Sequence, residues 1–263
     1  MSERPLAACW RAARAAGRTA LIPYVTAGHP SRAATQAVLR MLEQEGADVV
    51  EVGVPFSDPL ADGPVIQRSS HEALAAGMTT SGVLEVVQAA ALGIPVILFS
   101  YLNPVLRYGL ARFVRVARQA GAAGLLLTDF PAGTDPTVEA TVEQAELDLI
   151  RLVAPTTRPA RLTEIVRDAH GFIYVISRLG VTGAATTITD AVRRTVAEIR
   201  TRSPLPVAVG FGIADGEQAR AVAGFADGAV VGSALVRRLA DGLEPATRLV
   251  RELRRALDAT AVS

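Results

Sequence analysis

The segment EVGVPFSDPLADGPVIQ, residues 51–67, places two carboxylates where they could move protons. Glu51 interrupts the apolar run Val49-Val50-Glu51-Val52. A carboxylate taken out of water is costly unless it is paired or used. Desolvation raises its pKa and readies it as a proton shuttle. The same residue would be unremarkable if it faced a loop and capped backbone N–H groups. Asp62 follows the Pro59-Leu60-Ala61 corner of a loop stiffened by Pro55, Pro59 and Pro64. A carboxylate there can bend over a cavity and accept a hydrogen bond from a substrate N–H. Asp58, between Ser57 and Pro59, reads as a turn residue bonding its own backbone, with contact to a partner as its other role.

Three glycine-bearing stretches lie later in the chain: Ser177-Arg178-Leu179-Gly180-Val181-Thr182-Gly183, Val209-Gly210-Phe211-Gly212-Ile213 and Val231-Gly232-Ser233-Ala234. Glycine lets backbone N–H groups approach an anion closely, and a following helix N-terminus adds positive potential. Gly183, Gly212, Gly232 and Ser233 are therefore expected to cradle a phosphate; each alone would read as a turn. Gly210-x-Gly212 is not a dinucleotide fingerprint, because Asp215 occupies the place of the third glycine.

Elements must bring these pieces together. Eight short aliphatic runs, at 20–25, 49–52, 95–99, 124–128, 147–153, 172–176, 206–209 and 228–231, read as strands buried on both faces. Amphipathic stretches such as 36–45, 110–120, 162–169 and 188–202 alternate with them. Strand–helix repeated eight times, with no Gly/Ser-rich linker, predicts an α/β fold: a single (β/α)8 TIM barrel spanning 20–263, capped below by an N-terminal helix within 1–17, at about 5–16. Chemistry in such barrels sits at the C-terminal ends of the strands, where both acids and all three glycine stretches fall.

Composition closes off other chemistries. All 27 basic residues are arginine, so Schiff-base, pyridoxal-phosphate and P-loop mechanisms that need a lysine amine are excluded. His29, His71 and His170 are far apart and form no metal-binding pattern, so neither a metal nor a cofactor is expected. A net charge of +1 argues against nucleic acid. Cys9 is alone and forms no internal disulfide, which is compatible with a cytoplasmic location. No apolar run is long enough to span a membrane, and the Ala/Arg-rich start lacks a signal-peptide core.

The string at 51–67 closely resembles the signature of tryptophan synthase α-subunits, and SRLGVTG, VGFGI and VGSALV resemble that family's phosphate-side motifs. The resemblance runs from about Ile22 to Val236. It implies a lyase that splits indole-3-glycerol phosphate into indole and glyceraldehyde 3-phosphate, with Glu51 and Asp62 as the catalytic pair. It also implies Tyr24 and Tyr174 beside the substrate, with a core aromatic as the plain alternative for each, and Thr182 closing over Asp62. Ile66, Leu102, Leu127 and Phe211 are the expected apolar wall for the indole. Asp58, Asn103 and Pro131 are expected to face a pyridoxal-phosphate β-subunit in an α2β2 assembly; turn formation is the alternative for Asn103 and for Asp129 beside Pro131. Segments 132–136 and 184–187 depart from the family's pattern on that side, although Thr134 or Asp135 can cap a helix at Pro136. Three rival readings follow: a silent barrel that regulates a partner, a stand-alone lyase releasing indole for secondary metabolism, and a phosphate-binding barrel isomerase.

Overall fold

The computed structural model describes residues 3–176, 190–210 and 212–259. Its strands are β1 (Ala20–Thr26), β2 (Val50–Gly53), β3 (Val96–Ser100), β4 (Ala122–Leu127), β5 (Asp148–Val153), β6 (Ile173–Ile176), β7 (Val207–Gly210) and β8 (Gly228–Val231). All pair in parallel, each with the next, and β8 closes on β1. The eight predicted runs are these strands, displaced by at most a few residues at their ends.

Between and around them lie α1 (Pro5–Ala15), α2 (Arg32–Gln44), α3 (Pro64–Ala75), α4 (Thr80–Ala90), α5 (Leu102–Tyr108) and α6 (Leu110–Gln119). The second half contributes α7 (Pro136–Gln144), α8 (Pro159–Arg167), α9 (Asp190–Arg200), α10 (Gly216–Ala223), α11 (Ser233–Ala240) and α12 (Leu243–Asp258). Their starts follow local chemistry. Ser31 caps α2 by accepting the Ala34 N–H, and Asp135 caps α7 by accepting from Thr137 and Val138, with Pro136 at the first helical position.

Strand side chains alternate, so each strand feeds two cores. Outward residues such as Val50, Val52, Leu98 and Val209 pack against the helices. Inward residues such as Ile22, Ile97, Ile150 and Val230 fill the barrel. Helix α1 plugs the lower end: Leu6, Trp10 and Ala13 are buried on one face, and Leu6 and Trp10 join the inner core. Gly228 leaves room for the Trp10 ring, which a Cβ there would strike. At the same end buried Asp48 accepts hydrogen bonds from Arg18, from Arg254 of α12 (2.9 Å) and from the Leu21 N–H (2.8 Å). Three arms of charge-assisted bonding leave this carboxylate satisfied out of water. The lower end is thus locked, and the upper end is left to the loops.

Candidate active site

Glu51 is the inward residue of β2, between outward Val50 and Val52, and its register partners are Tyr24 on β1 and Ile97 on β3. It is fully buried, and neither carboxylate oxygen has a hydrogen-bond partner. Burial alone pushes its pKa from near 4.5 up to about 8. An unpartnered carboxylate in an apolar barrel keeps its proton because the neutral acid is far cheaper to desolvate than the anion. Glu51 is therefore an acid at neutral pH, with both oxygens available.

Two tyrosines share its surroundings. Tyr24 of β1 and Tyr174 of β6 are buried, and burial pushes both phenols up; nearby negative charge, from Asp62 then Glu51 for Tyr24 and from Glu51 for Tyr174, pushes the same way. Each ring leans over a glycine of the neighbouring strand. A Cβ on Gly53 would overlap the Tyr24 hydroxyl, and a Cβ on Gly210 would overlap that of Tyr174. Gly53→Ala should therefore displace Tyr24. The expected result is a stability loss of about 1–3 kcal/mol from overpacking together with a lower kcat, measured by urea unfolding and an indole assay on the same preparation. An unchanged kcat would show that Tyr24 need not sit where it does.

Ile66 on α3 packs with Tyr24 and Val236. The edge of the Phe99 ring meets Tyr24 at a centroid distance of 5.2 Å. The structure does not bring Leu102 and Leu127 into this group. Leu127 belongs to the outer core, and Leu102 opens α5 and packs against that same outer layer. The pleat is the reason: adjacent side chains on a strand face opposite ways, so Leu126 and Phe99 take the inward places. Both were missed in the sequence because a run such as Leu125-Leu126-Leu127 hides its own phase, and a register shift between β3 and β4 alters it further.

Asp62 lies in the loop after β2, half-buried, just before Gly63 and Pro64 start α3. The loop is folded back on itself. The Asp62 N–H donates to Pro59 O (3.1 Å), and the Gln67 amide donates to the carbonyls of Pro59 (3.3 Å) and Asp62 (3.0 Å). Tyr101, just beyond β3, holds the loop from the other side. Its oxygen accepts the Ala61 N–H at 2.9 Å, the Asp62 charge acts on its hydroxyl, and its ring packs on Phe56 at 5.1 Å. Burial and the Asp62 charge together push the Tyr101 phenol up. Tyr101 was not singled out in the sequence; the alternation Ile97, Phe99, Tyr101 along the third strand was the signal that pointed to it.

At the other side of the mouth, Gly232 precedes the first turn of α11, where no side chain caps the helix, and Ser233 is its first residue. A Cβ on Gly232 would sit 3.6 Å from Tyr24 Cβ, so this helix end lies against the tyrosine. Gly212 is exposed with φ +59°, a conformation that favours glycine. Thr182, Gly183 and Phe211, and the segment 184–187, lie outside the described residues.

Asp58 and Pro131 are exposed in the loops after β2 and β4, and Asn103 is exposed in the first turn of α5, after β3. Asp129, after β4, ties that loop to the start of α5 by accepting the Leu102 N–H at 2.7 Å. The unusual loop at 132–136 is held from below. Glu139 accepts the Gly133 N–H (2.9 Å) and pairs with buried Arg151 (2.6 Å), and Arg161 donates to Ala132 O (2.7 Å). Two cavities of about 270 and 530 Å³ open at the opposite end of the barrel, around α1, and contain none of the expected site residues. Among the described residues no three His, Cys, Asp or Glu side chains group as a metal site.

The family model described as tryptophan synthase alpha chain matches residues 10–261. The chain is 47% identical to the tryptophan synthase alpha chain of Laribacter hongkongensis, over 94% of this chain and 97% of that one. It is 45% identical to that of Xanthomonas campestris pv. campestris, over 98% and 100%. Among solved structures, tryptophan synthase from Mycobacterium tuberculosis superposes with a TM-score of 0.92 at 38% identity, covering 98% of this chain and 99% of that one. Tryptophan synthase subunit alpha from Legionella pneumophila gives 0.91 at 34% identity, covering 98% and 100%.

Proposed function

The chain belongs to the tryptophan synthase alpha chain family, and from that premise we propose how its own side chains carry the alpha reaction. The reaction is a retro-aldol cleavage of indole-3-glycerol phosphate to indole and glyceraldehyde 3-phosphate, a step of tryptophan biosynthesis. The bond that breaks joins indole C3 to the glycerol chain, and its electrons need a sink. With no lysine in the chain, the indole itself serves once C3 is protonated.

Glu51, neutral at pH 7, delivers that proton to C3. The resulting cation spreads onto the ring nitrogen, whose N–H is accepted by the Asp62 carboxylate. Glu51, now the carboxylate, takes the proton of the hydroxyl on the carbon attached to C3. The C–C bond breaks, its electrons restore the aromatic indole, and the hydroxyl becomes the aldehyde. Glu51 ends protonated, as it began. Acid–base catalysis contributes about 10²–10⁴-fold, and placement of the Asp62 charge supplies a further share. Tyr24, Ile66, Phe99 and Leu126 wall the ring, with Tyr174 beside Glu51. Backbone N–H groups at Gly212, Gly232 and Ser233, with Gly183, hold the phosphate at the α11 N-terminus.

The observation that carries this reading is a buried, unpartnered Glu51 beside Tyr24, with the Asp62 loop held at the rim by Tyr101 through the Ala61 N–H. Exposed Asp58, Asn103 and Pro131, with exposed Leu60 and Leu106 close by in sequence, form the face we assign to a pyridoxal-phosphate β-subunit in an α2β2 complex. A cytoplasmic location fits this role, and no described helix is long and apolar enough to cross a membrane. The test is indole formation from indole-3-glycerol phosphate, with and without an added β-subunit. Turnover that rises on mixing is expected. No turnover in either case would leave a silent regulatory barrel, and turnover indifferent to the β-subunit would leave a stand-alone lyase.

A further inference from the structure

Tyr101 owes its place to residues beyond another strand. It stands between β3 and α5, and its neighbours on either side are tied to consecutive residues after β4. The Thr128 N–H donates to Ser100 O at 3.0 Å, and the Leu102 N–H donates to the Asp129 carboxylate at 2.7 Å. The first bond continues the β3–β4 ladder. The second comes from a side chain. Tyr101 is the N-cap of α5 and its own side chain does not cap the helix. Asp129 thus takes one of the first-turn N–H groups that a helix leaves open, in a charge-assisted bond.

The far end of Tyr101 reaches the acid loop. The residue is 5% exposed, its ring packs on Phe56, and its oxygen accepts the Ala61 N–H at 2.9 Å. Ala61 lies in a corner that is tied within itself. The Asp62 N–H donates to Pro59 O, and the Gln67 amide donates to the carbonyls of Pro59 and Asp62. A corner bonded in this way shifts as a unit, so whatever holds Ala61 also sets where Asp62 sits. We propose that Asp129 and Tyr101 are positioning residues that act in series. Asp129 fixes the start of α5, that start fixes Tyr101, and the Tyr101 oxygen holds the 59–62 corner so that Asp62 meets the substrate N–H. Neither residue touches the substrate in this scheme. The plain alternative is that Asp129 only steadies a helix start and Tyr101 only fills the rim.

This inference rests on Asp62 being the acceptor of the indole N–H. Tyr101→Phe keeps the ring and drops the oxygen. Its kcat should fall about 10–100-fold, because a misplacement of about 1 Å can cost about 10²-fold, with KM within a few-fold. Asp129 is exposed, so its variants should fold. Asp129→Ala should lower kcat about 2–10-fold, the worth of one ordinary hydrogen bond. Asp129→Asn keeps an oxygen acceptor and should restore the parent rate. Groups in series are not additive, so adding Asp129→Ala to Tyr101→Phe should cost less than about twofold more. The Ala61 amide signal in ¹⁵N NMR reads the tie without turnover. It should move fully in Tyr101→Phe, part of the way in Asp129→Ala and not in Asp129→Asn. Additive losses in kcat, an unchanged kcat in Asp129→Ala, or an unmoved Ala61 signal in that variant overturns the proposal. If the Ala61 signal moves as expected but Asp62→Asn keeps full turnover, the tie stands and the catalytic reading of Asp62 falls.

Discussion

Glu51→Gln should lower indole release from indole-3-glycerol phosphate by at least about 10³-fold, because it removes the proton that reaches C3 and the base that accepts one back. Glutamine matches the size of the side chain and can sit in the same chamber, so the loss should fall on kcat. The same variant should be more stable than its parent at alkaline pH. The folded protein holds the Glu51 proton up to about pH 8, whereas an ordinary glutamate releases it near 4.5. The favourable contribution of that proton is complete below about pH 4.5 and is lost as pH rises through about 8. Above that point the parent carries a buried, unpartnered charge that the amide does not. The gain is about 2–5 kcal/mol at pH 9 and closes toward pH 4.5. Urea unfolding at the two pH values checks it. Full turnover in Glu51→Gln, or equal stability of the two proteins at pH 9, would remove Glu51 from the role assigned to it.

Asp62→Asn should reduce kcat by about 10²–10³-fold, the range for loss of one preorganised group facing developing charge, while leaving KM within a few-fold. The amide oxygen can still accept the indole N–H, so ground-state binding survives. What disappears is the negative charge, and that matters most when the ring becomes a cation. Steady-state kinetics with the substrate varied separates the two effects. A raised KM with unchanged kcat would make Asp62 an anchor for the substrate and nothing more. The variant also bears on Tyr101. With the carboxylate gone, its phenol loses a nearby negative charge, and its pKa should fall toward the ordinary tyrosine value.

The legible and illegible parts of this site divide by physical cause. Glu51 stood out because an acid inside an aliphatic run is expensive wherever it folds. Asp135 and Pro136 announced the start of α7 because capping is a local bond between near neighbours. The eight strands were visible for a similar reason, since short β-branched runs flanked by turns carry their own signal. Leu102 and Leu127 were misplaced because in an all-apolar run hydrophobicity does not say which side chain faces in; only the pleat and the β3–β4 register do. Tyr101 was missed because its bond reaches Ala61, beside Asp62, across a strand and a helix pair.

The amino-acid order alone determined the architecture, the two acids and the absence of a lysine mechanism, because periodicity, residue type and local capping are properties of neighbours in the chain. Tertiary structure alone decided that Glu51 is neutral and partnerless and that Tyr101 grips the Asp62 loop. Those are properties of desolvation and of long-range hydrogen bonds, and neither exists until the barrel closes and water leaves it.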